Sequence, residues 1–258
     1  MGRSTAVFAP LALAAALRLL GSPAYQHHRG RPVLGVWGLG FRDRPLTPGG
    51  VSGWLAALRA ATPGGLTILG GVPAGWRTGD ADAAADPAWR EVFRGIEVLS
   101  PWTVGRFGDA ASADRFRSQR MEPDLREVAR TGQDYMPVIF PGFSWSNLMR
   151  ARGRETAFNE IRRRCGSFYW HQAANAVGAG ARMIYTAMFD EVDEGTAIFK
   201  LAPSRRSLPA GGGFLPLDAD GCALPADWYL RLAGGITRGL VAGRVPAAIP
   251  RDVDEIPP

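Results

Sequence analysis

The densest chemistry in the sequence lies in FDEVDEGTAIF, where Asp190, Glu191, Asp193 and Glu194 place four carboxylates within five residues, directly after an apolar run. Ionised together in a cleft they would repel one another, and the relief is to raise at least one pKa. One acid then stays protonated near neutral pH while a neighbour stays charged, which is the division of labour that cleavage of a glycosidic bond needs. Glu191 and Glu194 are the candidate catalytic pair. A solvated acidic loop or a cation site is the competing reading of such a cluster. Its position straight after a buried run argues against a purely solvated loop, and the alternating oxygen ligands and closing Glu of an EF-hand are missing.

Aromatic residues follow other apolar runs in the same way: Trp76 with Arg77 in GVPAGWRT, Trp102 in SPWTVG and Trp145 in FPGFSWSN. An indole stacks on the CH-rich face of a sugar ring while nearby carboxylates handle the glycosidic oxygen, so these four residues are the candidate substrate-binding set. His27 and His28 precede a strand, and His171 lies in a helical stretch with Phe168, Tyr169 and Trp170, where a structural role is expected. No Gly-x-Ser-x-Gly elbow, P-loop or dinucleotide-binding turn stands where a strand meets a helix, so no cofactor is expected. Cys165 and Cys222 have no CxxC spacing and no nearby histidine pair; they are expected to be thiols, with no zinc site and no catalytic metal.

These residues need elements to hold them. Candidate strands are Pro32 to Gly38, Leu66 to Gly71, Ile96 to Trp102, Tyr135 to Phe143 and Arg182 to Glu191, each continuously apolar as a strand covered on both faces should be. Between and after them, Val51 to Ala61, Asp86 to Arg94, Ala111 to Thr131, Gly166 to Gly180 and Ala226 to Ala242 show helical spacing. Such alternation predicts an α/β protein with parallel strands, of the (β/α)8 TIM-barrel type, whose strand ends open on one face and bring the candidate residues together. Five strands are visible against the eight of a closed barrel, so about three βα units are expected to be missing from the N-terminal side.

At 258 residues the chain suits one such domain, over 23–245, preceded by an N-terminal segment, 1–22, and followed by an unstructured tail, 246–258. Residues 1–22 read either as a weak secretion signal, with Arg18 interrupting its apolar stretch, or as the tail of a barrel helix. Their apolar run is too short to span a membrane. The net charge of +6 does not indicate a nucleic-acid partner: Lys200 is the only lysine, and the best basic run, Arg162-Arg163-Arg164, is short and accompanied by Glu155 and Glu160.

Taken together, YQHHRGRPVLGVWGLGF, GGVPAGWRT, EVLSPWTVGRF, YMPVIFPGFSWSN and YTAMFDEVDEGTAIFK resemble the glycoside hydrolase family 71/99-like proteins, relatives of the family 99 endo-α-mannosidases. The resemblance runs from about Pro23 to Gly243, and its most specific piece is Glu-x-x-Glu-Gly-Thr at Glu191 to Thr196. It implies a retaining hydrolase of α-linked, mannoside-like oligosaccharides or polysaccharides that uses no metal in the chemical step. By position, Glu194 would be the general acid/base and Glu191 would assist the sugar's own 2-hydroxyl as internal nucleophile. Asp190 and Asp193 stand where the endo-mannosidases have other residues, and no role carries over to them. The alternative expectation is a carbohydrate-binding barrel that keeps the aromatic rim without catalysis.

Overall fold

The computed structural model describes residues 19–250. The expected N-terminal segment therefore lies almost wholly outside the described residues, as does the tail from 251. The described residues fall into two compact units, 19–101 with 128–134 and 102–127 with 135–250.

The first unit is organised on parallel strands. β1 (His27–His28) forms an antiparallel hairpin with β2 (Arg31–Trp37). β2 runs parallel to β3 (Thr67–Val72), with Val33 opposite Thr67 and Trp37 opposite Gly71, and β3 runs parallel to β4 (Val98–Pro101). Gly71 is dictated by its partner: a Cβ there would stand 2.2 Å from Trp37 Cδ1. The crossover helix α1 (Pro48–Ala60) starts on the N-cap Thr47, whose side chain accepts from Gly50 N, with proline in its first turn where a missing N–H costs nothing. Val51, Leu55 and Leu58 are buried, at the spacing of one helix face. The next crossover carries α2 (Trp89–Arg94), which buries Trp89, Val92 and Phe93. Glu97 ties the layers together by accepting from Ile68 N at 2.9 Å and pairing with Arg59 at 3.0 Å.

In the second unit, α3 (Ala110–Phe116) opens on a capping box between Asp109 and Ser112. One helix is expected over Ala111 to Thr131, but the helix passes through a π turn at Arg117–Met121 before α4 (Glu122–Thr131). Pro123 supplies the reason: it has no N–H for the regular i→i−4 ladder, and the wider turn absorbs the fault. The nine-residue strand expected over Tyr135 to Phe143 is also cut, into β5 (Asp134–Tyr135), which closes the edge of the five-stranded sheet, and β6 (Val138–Ile139). Pro137 cannot donate between them. At the far end, the backbone of Phe140 is taken by a side chain, with Gln172 Nε2 donating to Phe140 O at 2.8 Å and Gln172 Oε1 accepting from Phe140 N at 3.2 Å.

α5 (Ser146–Ala151) follows, then α6 (Ser167–Gly178). β7 (Tyr185–Thr186) pairs parallel to β6, Val138 opposite Tyr185 and Ile139 opposite Thr186. α7 (Trp228–Val241) completes the unit. Phe168, Tyr169, Trp170, Ala173, Ala176 and Val177 of α6 are buried. Phe168 joins Phe107, Phe140 and Ala187 in one core cluster, while Tyr169 and Trp170 join Ile139, Tyr229, Leu232 and Ile236 in another. Trp170 Nε1 donates to Pro246 O at 2.8 Å and Ile249 packs on the second cluster, so the unstructured tail does not begin at Pro246 as expected.

The cysteines overturn their expectation. Cys165 and Cys222 are joined as a disulfide, their Cα atoms 6.0 Å apart and 57 residues apart in sequence. His171 behaves as expected of a structural histidine: its Nε2 lies 2.6 Å from Asp114 Oδ1, which also accepts from Asn175 Nδ2 at 2.8 Å.

Candidate active site

The strand expected over Arg182 to Glu191 stops at Thr186 because the chain beyond it bonds to itself. Met188 N donates to Thr196 O at 3.2 Å, Ile198 N to Phe189 O at 3.0 Å, and Phe199 N to Phe189 O at 2.9 Å. Residues 188–199 thus form a closed excursion directly after β7, and the four carboxylates sit at its head. Thr196 N and Ala197 N both donate to the Glu191 carbonyl, at 3.1 and 3.0 Å, which pins the backbone beneath Glu191.

A second loop, from the exit of β6, holds the other carboxylate. Ser144 N donates to Glu194 O at 2.8 Å and Leu148 N to Asp193 O at 3.3 Å, while Asn147 Nδ2 donates to Asp193 Oδ1 at 2.5 Å. Gly195 makes the approach possible: its φ is +64°, and a Cβ there would lie 3.1 Å from both Ser144 Cβ and Ser144 N. The loop from Phe143 is itself braced on Ile161 by a pair of backbone hydrogen bonds of 2.9 and 3.0 Å.

Glu191, Asp193 and Glu194 are half-buried, and Asp190 is exposed. Burial pushes the Glu194 carboxyl above the usual carboxylate range, and the charge of Glu191 pushes it further in the same direction. The Trp145 indole N–H, donating to Glu194, pulls it partly back, and Arg152 does so less strongly. An acid whose pKa is raised beside a second carboxyl group is suited to deliver a proton to a leaving oxygen, with an N–H oriented at the same group.

Among the aromatic candidates, Trp145 is 42% exposed beside Glu194, with its ring 5.5 Å from that of Phe143. Trp102 is half-buried in the same unit, packed against the Phe107–Phe140 cluster. Trp76 and Arg77 belong to the first unit. There Trp76 is 6% exposed with its ring edge-on to Phe93, and Arg77 is half-buried. Sequence reasoning missed Phe189, the residue before the acidic group, which is 60% exposed. An apolar residue ending an apolar run gives no sign that it will turn outward. It also missed Ser144 and Asn147, whose polar side chains in SWSN looked like ordinary loop residues.

No family model matches the sequence, and none of the curated proteins matches it. The similarity is one of structure. The GH99 endo-α-mannosidase from Bacteroides thetaiotaomicron superposes at a TM-score of 0.63 with 15% identity, over 94% of this chain and 64% of that one. A second structure of that mannosidase, in complex with BIS-TRIS-propane, gives 0.62 and 17% over 94% and 68%. A glycoside hydrolase-like protein gives 0.50 and 18% over 83% and 59%. This chain spans 64% of the length of the first of these. Their shared architecture is the α/β barrel, and this chain has the fold of the GH99 endo-α-mannosidase structures, as a partial (β/α)8 barrel.

Proposed function

We propose that the protein is a glycoside hydrolase acting on α-linked, mannoside-like glycans, with Glu194 as general acid/base and Glu191 as its charged partner. The observation that carries the reading is the state of Glu194, a half-buried acid held above its usual range by burial and by Glu191, with the Trp145 N–H directed at it. The likeness in fold to endo-α-mannosidases supports the substrate class.

In the first step the Glu191 carboxylate takes the proton of the sugar's 2-hydroxyl and O2 attacks C1. The C1–O bond to the leaving group breaks as Glu194 gives that oxygen its proton. The product is a 1,2-anhydro sugar. Water then opens it at C1, losing a proton to the Glu194 carboxylate while Glu191 returns a proton to O2, and two inversions give net retention. This requires a 2-hydroxyl on the face opposite the leaving group, which an α-mannoside presents. It differs from the two-carboxylate scheme in which a protein oxygen attacks the sugar. Trp145, Trp102 and the exposed Phe189 are assigned the stacking surface beside the carboxylates.

The test is Glu194→Gln, which is expected to abolish hydrolysis of α-mannoside oligosaccharides while leaving the circular dichroism spectrum and glycan binding unchanged. A fully active variant would sink the assignment. A wild-type chain that binds glycan but cleaves none over long incubation favours a carbohydrate-binding barrel instead.

A further inference from the structure

Arg163 is the middle member of a basic run whose neighbours, Arg162 and Arg164, are exposed, yet it is only 4% exposed itself. Its Nη2 donates to Gly195 O at 2.8 Å and to Ala197 O at 2.9 Å, and its guanidinium lies 4.6 Å over the Tyr229 ring. Among the described residues Nε and Nη1 find no acceptor of good geometry and no carboxylate forms an ion pair with it, the Tyr229 side chain being the polar group that offsets its burial. Asp220 acts on it through space only, its oxygens accepting from Asn159 Nδ2 and Arg164 N.

Burying a cation without a paired anion is costly, and where only backbone bridging is needed a neutral amide suffices, as Gln172 shows on Phe140. A guanidinium adds a rigid planar fork, in which two N–H bonds diverge from one nitrogen at a fixed angle. Here the fork spans two carbonyls separated by one residue. Thr196, the residue between them, returns its N–H to the Glu191 carbonyl, and Gly195 follows Glu194 directly. The path of the Arg163 side chain is fixed in turn by Gly142, where a Cβ would stand 2.6 Å from Arg163 Cγ.

We infer that Arg163 is a positioning residue: its fork clamps the Gly195 and Ala197 carbonyls and so fixes the place of Glu191 and Glu194 for the reaction proposed above, on which this inference rests. It touches neither carboxylate and acts through the backbone. The groups that set the titration of Glu194 are Glu191, Asp193, Arg152 and the Trp145 N–H; those that face Arg163 are Tyr229 and Asp220. Releasing the clamp lets the loop relax toward water and relieves the burial that raises the Glu194 pKa.

The test uses the full chain, with carboxyl-carbon NMR titrations beside hydrolysis of an α-mannoside oligosaccharide. Glu194→Gln identifies the Glu194 signal, and Arg163→Met releases the clamp. In Arg163→Met the Glu194 titration is expected to fall toward the ordinary carboxylate range, and kcat to drop roughly 10- to 100-fold. KM stays within about threefold. Arg163 borders a cavity of about 270 Å³ lined also by Gly195, Ala197, Phe199 and Leu215, so millimolar guanidinium should enter and restore part of the lost kcat. A general loosening of the fold would not be reversed in that way. A folded Arg163→Met with the wild-type titration and kcat overturns the inference. If that variant does not fold, Arg163→Lys keeps a buried cation without the fork, and a wild-type pH profile there overturns it equally. A wild-type chain in which Glu194 titrates high and falls on Arg163→Met, yet which cleaves no glycan, refutes the hydrolase reading and leaves the clamp standing.

Discussion

Substituting Gly195 by alanine probes the contact that joins the two halves of the site. Two costs add. The first is conformational: φ at Gly195 is +64°, in the left-handed region where a Cβ costs about 1–2 kcal/mol. The second is steric, because the new methyl meets Ser144 Cβ and Ser144 N at 3.1 Å and Leu215 Cδ2 at 3.2 Å. Two of these atoms belong to a braced backbone loop and its first side-chain carbon and cannot swing away, so an overpacking cost of about 1–3 kcal/mol applies. Gly153 separates the costs: its φ is +67°, and nothing lies within 4 Å of a Cβ built there. Gly153→Ala should therefore lose only the conformational part, and Gly195→Ala about 3 kcal/mol in all. For a chain of this size that total loss amounts to a lowering of Tm by roughly 6–12 °C for Gly195→Ala, at about 2–4 °C per kcal/mol. Urea denaturation and thermal melts of both variants provide the assay. Equal destabilisation of the two, within about 0.5 kcal/mol, would show that the loops do not meet as described.

Three other outcomes are expected. Trp145→Phe removes the N–H that lowers the Glu194 pKa, so its titration, and the alkaline limb of any pH–rate profile, should move to higher pH; Glu191→Gln removes a charge that raises it and should move the titration to lower pH. Opposite or absent shifts in carboxyl NMR would refute the assigned electrostatics. Reducing the Cys165–Cys222 disulfide, which closes 57 residues of chain, should cost about 4 kcal/mol on chain-entropy grounds, read as a lowered urea midpoint in the presence of reductant.

Helices with an uninterrupted apolar stripe were legible from sequence: α1, α6 and α7 fall within three residues of their expected ends. So were β2 and β3, whose limits differ from the expected ones by a residue. What the pattern could not show was competition for backbone hydrogen bonds. The apolar run to Phe143 looks like one long strand, but Pro137 lacks a donor and Gln172, more than thirty residues on, claims the groups of Phe140. α5 was missed because its six residues, SNLMRA, are too few to display a period. The disulfide was missed because its partners are 57 residues apart and obey no spacing rule.

The site divides in the same way. Glu191, Glu194 and Trp145 announced themselves by type and by position after strands, and the structure places them in one unit beside one another. Trp76 offered the same signal, but its ring is folded into the packing around Phe93. Arg163 gave the opposite impression: amid three arginines it looked like a solvated charge run, and only the turn of the backbone into the short 3-10 helix at Arg164–Gly166, with Arg162 and Arg164 outward, points it inward. Residue type marks what can react, while the residues that hold it in place act through backbone groups that have no letter in the sequence.

The bond between Gln172 and Phe140 has a further effect on how the molecule meets its own kind. A strand end with a free N–H and C=O is a template on which another chain can add a strand, and Val138–Ile139, buried in the folded chain, offers one whenever its cover opens. With both groups of Phe140 already engaged by one amide side chain, the ladder has no next rung there. The same side chain that shortens the strand makes its end unavailable for edge-to-edge association, so a leucine at 172 should cost solubility as well as stability.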